Sequence, residues 1–228
     1  VRRDNDNSET DINFNVFGEL DTVSLAAHCG SNNGYVTNWY DQSSNSNTAR
    51  QTTAANQPKI YDGATGVVTD GNGKPEMLCT SDWFALNSSI SLSSGYSCIH
   101  VSEQSARNAP SFGASVSYHY ITLYQNSNVW FYHTNAGRTI PYVVPLDTKQ
   151  LHWLNWSSTN VGIGVDGAAL QTGALSTSTQ IDWLMRASGA SPTWQGRMQE
   201  MIVYTSDQDA AGNRTGIETN INTFYNIY

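Results

Sequence analysis

Leu151-His-Trp-Leu-Asn-Trp156 and Val161-Gly-Ile-Gly-Val165, the second running into Asp166-Gly167, decide how this chain folds. Each is a short run of apolar, aromatic and β-branched residues between polar or turn-forming ones, which marks a strand rather than a helix. Asp-Gly is a tight-turn signal because both residues tolerate a positive φ. Working outward, Tyr96–Val101, Val116–Tyr124 and Val129–His133 repeat the pattern at the spacing of a β-sandwich. Trp194–Tyr204 is a long late strand. Simple alternation along it puts Met198, Glu200 and Ile202 on one face and Gln199, Met201 and Val203 on the other. Toward the start, Asp11-Ile-Asn-Phe-Asn-Val16 alternates as a half-buried strand should, and Gly34–Tyr40 gives another strand before a polar loop from Asp41 to Asn47.

Helical signals are confined to two places. Asp21 is placed to cap a short helix over Ser24–His28 that Gly30 stops. Thr215–Tyr225 sets Ile217, Ile221, Phe224 and Tyr225 at helical spacing. The expected fold class is therefore all-β, a sandwich of two antiparallel sheets with short helices, forming one domain over residues 1–228.

Composition agrees and removes several function classes. Of 228 residues 39% are hydrophobic and only 13% charged, with 12 Tyr and 7 Trp, too little charge for a long-helix protein. A net charge of −8 disfavours nucleic acid, whose phosphates call for a basic face. No window approaches the ~18 consecutive apolar residues of a membrane-spanning helix. Cys29, Cys79 and Cys98 are odd in number and too far apart for a zinc site, so they are expected as buried thiols.

Several motifs then resemble one group of laminin-G-like domains in a fixed order. Val1-Arg-Arg-Asp-Asn-Asp-Asn-Ser-Glu-Thr-Asp11 is similar to that group's opening strand, and Gly34-Tyr-Val-Thr-Asn-Trp-Tyr-Asp-Gln-Ser43 to its next segment. Ala54–Ile60 and Asn72-Gly-Lys-Pro75 follow in order, and Met198–Tyr204 with Gly216–Asn222 resembles the closing strand and helix. Such domains occur in phage tail-fibre, virion-surface and bacterial surface proteins, and a related pattern occurs in the arabinofuranosidase B catalytic domain. The resemblance implies a concanavalin A-like jelly roll at a virion surface or in the extracellular space, part of a longer protein. It leaves carrier, binder and hydrolase open. In the polar loop it has glycines where this chain has Ser44 and Ser46.

A glycosidase needs two carboxylates across the scissile bond. Glucanases of this fold carry Glu-x-Asp-x-x-Glu on one strand. Glu19-Leu-Asp21 begins that pattern, but Ser24 stands at the second Glu position. Glu76, Glu103, Glu200 and Glu218 share no strand face pairwise, so no catalytic residue is assigned and no enzyme is expected. Asp41, Ser43, Asn45 and Asn47 alternate like the start of a calcium loop, but Ser46 and Thr52 replace its glycine and its bidentate glutamate. A self-bonded turn is expected there, without cofactor or metal. His28, His100, His119, His133 and His152 are scattered and read as structural.

Trp39, Tyr40, Trp130, Tyr132, Trp153 and Trp156 are aromatics that could stack on sugar rings. Trp39 reads as a core anchor, while Tyr40 and Trp156 adjoin polar loops. The candidate glycan-binding set is Tyr40, Asp41, Gln42, Asn45, Asn47 and Trp156. The expected function is non-catalytic attachment to a surface glycan, with contacts to other virion or surface chains in a multimeric assembly. An arabinofuranosidase-type hydrolase and a purely structural virion protein are the alternatives.

Overall fold

The computed structural model describes residues 1–228 apart from 94, 107–108, 116–119, 125–127, 134–135, 158, 176–178 and 188–192. The chain begins with short elements: β1 (Arg2–Arg3), α1 (Thr22–Cys29), β2 (Gly34–Tyr35), β3 (Asn38–Trp39), β4 (Ala49–Arg50), β5 (Lys59–Asp62) and β6 (Gly66–Val67). Longer strands follow: β7 (Met77–Asp82), β8 (Phe84–Leu92), β9 (Tyr96–Gln104), β10 (Ala109–Gly113), β11 (Tyr120–Tyr124) and β12 (Asn128–His133). Then come β13 (Ala136–Pro141), β14 (Lys149–Ser157), β15 (Asn160–Val165), β16 (Gln171–Ala174), β17 (Thr179–Leu184), β18 (Trp194–Tyr204) and α2 (Arg214–Tyr225).

These strands form two antiparallel sheets. The back sheet has ten strands in the order β1-β2-β5-β7-β18-β9-β14-β15-β16, with β6 beside β5. The front sheet has eight, β13-β12-β11-β10-β17-β8-β4-β3. The expected jelly-roll sandwich is what the chain adopts. β14 and β15 pair from His152↔Val165 to Ser157↔Asn160, and Asp166 (φ 51) with Gly167 (φ 76) makes the tight turn after β15.

Between the sheets lie Phe84 and Leu92 of β8, Tyr96 and Cys98 of β9, Phe112 of β10, Leu154 of β14 and Trp194 of β18, all essentially unexposed. His100 and His152 stack there with ring centroids 4.6 Å apart. Burial pushes both well below the ordinary histidine value, His152 to about 3, so both are neutral at pH 7 and pack as aromatic slabs. The three cysteines are buried and free, as expected. Asp21 caps α1 by accepting from the Val23 and Ser24 N–H groups. Gly34 is required where α1 meets β2, since a Cβ there would lie 2.6 Å from Cys29 Sγ.

Four local expectations change. Asp11–Val16 forms no strand; only Phe14 bridges, to Leu20. Asn15 Oδ1 accepts the Phe17 and Glu19 N–H groups, so turn chemistry overrides alternation and leaves Val16 93% exposed. Gly34–Tyr40 is two strands, because the chain crosses from the back sheet to the front through buried Val36 and Thr37. In β18 a bulge between Met198 and Glu200 shifts the register against β9. Met198 therefore packs in the inter-sheet core with Met201 and Val203, while Ile202 packs toward the opposite cluster with Tyr204. Finally, α2 docks through Ile221 and Tyr225, with Ile217 beside them, whereas Phe224 stays 41% exposed beneath the Lys74 ammonium.

Candidate functional site

Each sheet has an outer face, and the two are used differently. On the back sheet, Ile99 and Val101 of β9 and Leu151 and Trp153 of β14 are sealed under Ile221 and Tyr225 of α2. Lys149 Nζ also donates to the Tyr225 carbonyl at 3.0 Å, fixing the end of the helix. The front sheet carries no such cover among its described residues, and a connected set of polar and aromatic groups occupies it.

At its centre is Asp182 of β17. Ile181 and Leu184 point into the core, and the register shift between Ile181 and Trp183 lets both Asp182 and Trp183 turn outward. Its carboxylate accepts from the Ser89 hydroxyl of β8, from the Ser115 N–H and hydroxyl, and from Gln180 Nε2. Burial raises the carboxyl, but the hydroxyls, backbone N–H and amide more than offset it and bring its pKa to about 2. So acidic a carboxylate is a fixed acceptor at neutral pH and a poor general acid.

Next to it, Trp183 and Trp83 meet edge to face with centroids 6.1 Å apart. Trp83 sits at the corner where the chain passes from β7 to β8, and its carbonyl accepts from Gln51 Nε2 at 2.9 Å. The Arg186 guanidinium lies 4.0 Å over the Trp83 ring and 4.5 Å over the Trp183 ring. The sequence reading did not single out these three. Trp83 and Trp183 are a hundred residues apart in the chain, and only the β8–β17 pairing, which puts Trp183 opposite Ala85, unites them.

The loop from Asp41 to Asn47 docks on β8 farther along the same sheet. Asn47 exchanges two hydrogen bonds with the Ser88 backbone, at 2.8 and 2.9 Å. Asp41 accepts the N–H groups of Ser43 and Asn47, both at 2.8 Å, which makes a self-bonded turn. Burial raises the Asp41 carboxyl, and these bonds outweigh it to hold it below the ordinary carboxylate value. Ser46 adopts φ 54, so the backbone takes a left-handed conformation where the resembling segment has glycine. Tyr40 is 46% exposed, and its hydroxyl donates to Asp11 at 2.7 Å. Gln42 and Asn45 are exposed.

Of the candidate set, Tyr40, Gln42 and Asn45 thus reach solvent, while Asp41 and Asn47 chiefly shape the loop. Trp156 leaves the set. It is 3% exposed, stacked on Tyr96 at 5.7 Å, with its indole N–H given to the Leu175 carbonyl. Its position on β14 faces the inter-sheet core, which adjacency to a polar loop did not reveal. Trp153 is sealed under α2 and Trp39 packs on Phe84 at 6.0 Å. His119 lies outside the described residues, as do the side chains of Trp130, Tyr132 and His133.

The four glutamates weighed from the sequence make contacts within the scaffold. Glu76 and Glu103 both pair with Arg197, and Glu218 pairs with Arg214. Burial raises Glu200 above the ordinary glutamate value, against a hydrogen bond from Tyr225 of α2. Among the described residues no three His, Cys, Asp or Glu side chains gather as a metal site. No helix of the described residues is long and apolar enough to cross a membrane.

No protein-family model matches the sequence, and no curated protein does. Solved structures match in fold. An arabinofuranosidase complexed with arabinofuranosyl-α-1,2-xylobiose superposes with a TM-score of 0.69 at 15% identity, covering 96% of this chain and 57% of that one. A mutant GH54 α-L-arabinofuranosidase soaked with 4-nitrophenyl α-L-arabinofuranoside gives 0.69 at 14% identity, with the same shares. Domains LG4-5 of the mouse laminin α1 chain give 0.40 at 12% identity, over 62% of this chain and 45% of that one. The chain shares the two-sheet sandwich fold of these arabinofuranosidase structures, and it spans 57% of the length of their chains.

Proposed function

We propose that this chain is a non-catalytic glycan-binding module displayed on a virion or cell surface, with its ligand lying along the outer face of the front sheet. The observation that carries the reading is the Trp83–Trp183 pair beside the Asp182 hydrogen-bond network, on the sheet face that α2 does not cover. Sugar rings offer C–H faces to aromatic planes, and this face supplies two half-buried indoles, with Asp182 tying β17 to Ser89 and Ser115 beneath them. Tyr40, Gln42 and Asn45 form the far rim. The backbone from Trp83 to Ser88 of β8, where the loop docks, spans about 17 Å, within reach of one oligosaccharide.

A binding rather than hydrolytic role is supported by the acids. Asp182 is held too acidic to donate a proton, and Glu76, Glu103, Glu200 and Glu218 are engaged in scaffold contacts. A contact with a neighbouring chain is supported by the turn that carries Phe14, Val16 and Phe17, exposed by 55%, 93% and 84%.

A glycan array probed with the multimerised chain tests the reading. Single-site affinity is expected to be weak, on the order of 0.1–1 mM, and raised by valency. Trp183→Ala is expected to abolish the array signal, and Tyr40→Ala or Asn45→Ala to weaken it, with each variant shown to be folded by its melting curve. If wild type binds and Trp183→Ala binds equally, the site is elsewhere. Absence of any signal at high valency overturns the glycan reading in favour of a structural role.

A further inference from the structure

Arg186 shares the front sheet's side of the fold with Arg50 of β4, and like Arg2 and Arg50 it has no ion pair among the described residues, whereas three other arginines do. Arg3 pairs with Asp6, Arg197 with Glu76 and Glu103, and Arg214 with Asp209 and Glu218. Arg186 is half-buried, held over the faces of Trp83 and Trp183, and among the described residues no carboxylate pairs with it. Asp182, its neighbour on β17, turns its oxygens to Ser89, Ser115 and Gln180 instead. The guanidinium lies over two indole rings inclined at 69° to each other, and its N–H fork, with no carboxylate on it, matches a carboxylate in two parallel hydrogen bonds. Partial burial strengthens such a pair, because the cation has already lost part of its water.

We propose that Trp83, Trp183 and Arg186 form a subsite for a carboxylate-bearing sugar, a uronic acid residue of the bound glycan. The proposal rests on the glycan-binding reading and names the substrate class within it. The indole edge and face pack against the sugar ring, and Arg186 takes the carboxylate in a bidentate pair. Trp183 thereby sets position, and Arg186 sets the choice between acidic and neutral sugars.

The test is calorimetric titration of the full chain with oligogalacturonate and with glucuronate-bearing xylan oligosaccharide, each beside its carboxyl-reduced counterpart. At least one acidic probe is expected to bind about tenfold more tightly than its reduced form. Arg186→Gln is expected to erase that advantage, so that the acidic probe and its reduced form bind it with the same affinity. Arg186→Lys keeps the charge without the fork and is expected to retain only a small part of it. If Arg186→Gln fails to melt cooperatively, Arg186→Lys carries the comparison. Equal affinity of wild type for acidic and reduced probes overturns the subsite and leaves glycan binding standing, as does an acidic preference that survives in the substituted chain. Failure of every probe, with a blank glycan array, overturns both.

Discussion

Ile99, Val101, Leu151 and Trp153 on the back sheet meet Ile221 and Tyr225 of α2 with almost no exposure. On the front sheet Ser89 bonds Asp182, and Trp183 meets Trp83 and Arg186, with no helix above them among the described residues. One outer face is joined by apolar burial, the other by hydrogen bonds to a charge and by cation–π contact. The first has spent its surface on stability. The second holds rigid polar groups near solvent, as a binding surface requires. The same sandwich therefore has one side that closes the fold and one that remains available to a ligand.

The contrast breaks most visibly if α2 is removed. Truncation after Asn213 deletes Ile221 and Tyr225, at ~1.5–3 kcal/mol each, and exposes four apolar side chains of the back sheet. The summed loss is on the order of 10 kcal/mol, comparable to the whole stability of a domain. The truncated chain is expected to lose its cooperative thermal transition; an unchanged melting temperature contradicts the sealing role of α2.

On the front face the expected loss is smaller and depends on pH. Asp182→Asn replaces a charged acceptor of hydroxyl and N–H donors, costing about 2 kcal/mol at pH 7. The folded carboxyl is depressed to about 2 from an ordinary 3.8. Its contribution is therefore complete above pH 3.8 and is lost as pH falls toward 2. Denaturant curves of wild type and Asp182→Asn should converge over that window, while the cost of deleting α2 should show no such convergence. A gap that stays constant down to pH 2 shows that the charge is not what holds the front face.

The mildest change sits in the loop at the far rim. Ser46 holds φ 54, which costs a non-glycine residue ~1–2 kcal/mol, and glycine returns part of the gain as chain entropy. Ser46→Gly is expected to raise stability by less than about 1 kcal/mol and to leave glycan affinity unchanged. A fall in melting temperature indicates that the serine hydroxyl contributes to the loop.

Strands β9, β11, β12, β14, β15 and β18, the Asp21 cap, the Asp166-Gly167 turn and the closing helix were legible in the sequence because each rests on neighbours a few residues away, whereas β10, β13, β16 and β17 were not read. Period-2 alternation, capping oxygens and glycine-tolerant turns act locally. Alternation failed where a non-local event changed its phase. The bulge at Met198–Glu200 is set by pairing with β9, and the break at Val36-Thr37 by the passage between sheets. The exposed turn at Phe14–Phe17 failed for the opposite reason, since local asparagine bonds prevailed where no strand pairs along the segment. Of the candidate set, the sequence foresaw the self-bonded loop and an exposed Tyr40, but it read Trp156 as exposed beside a polar loop where the fold buries it. Which tryptophans lie inside depends on which face α2 covers and which faces the second sheet. Sequence alone thus determined the fold class, the closing helix and the polar loop, because hydrophobic pattern and turn chemistry are properties of short stretches. The tertiary structure alone decided that Trp83, Trp183 and Arg186 share one surface, because antiparallel pairing of β8 with β17 brings together residues that no local periodicity relates.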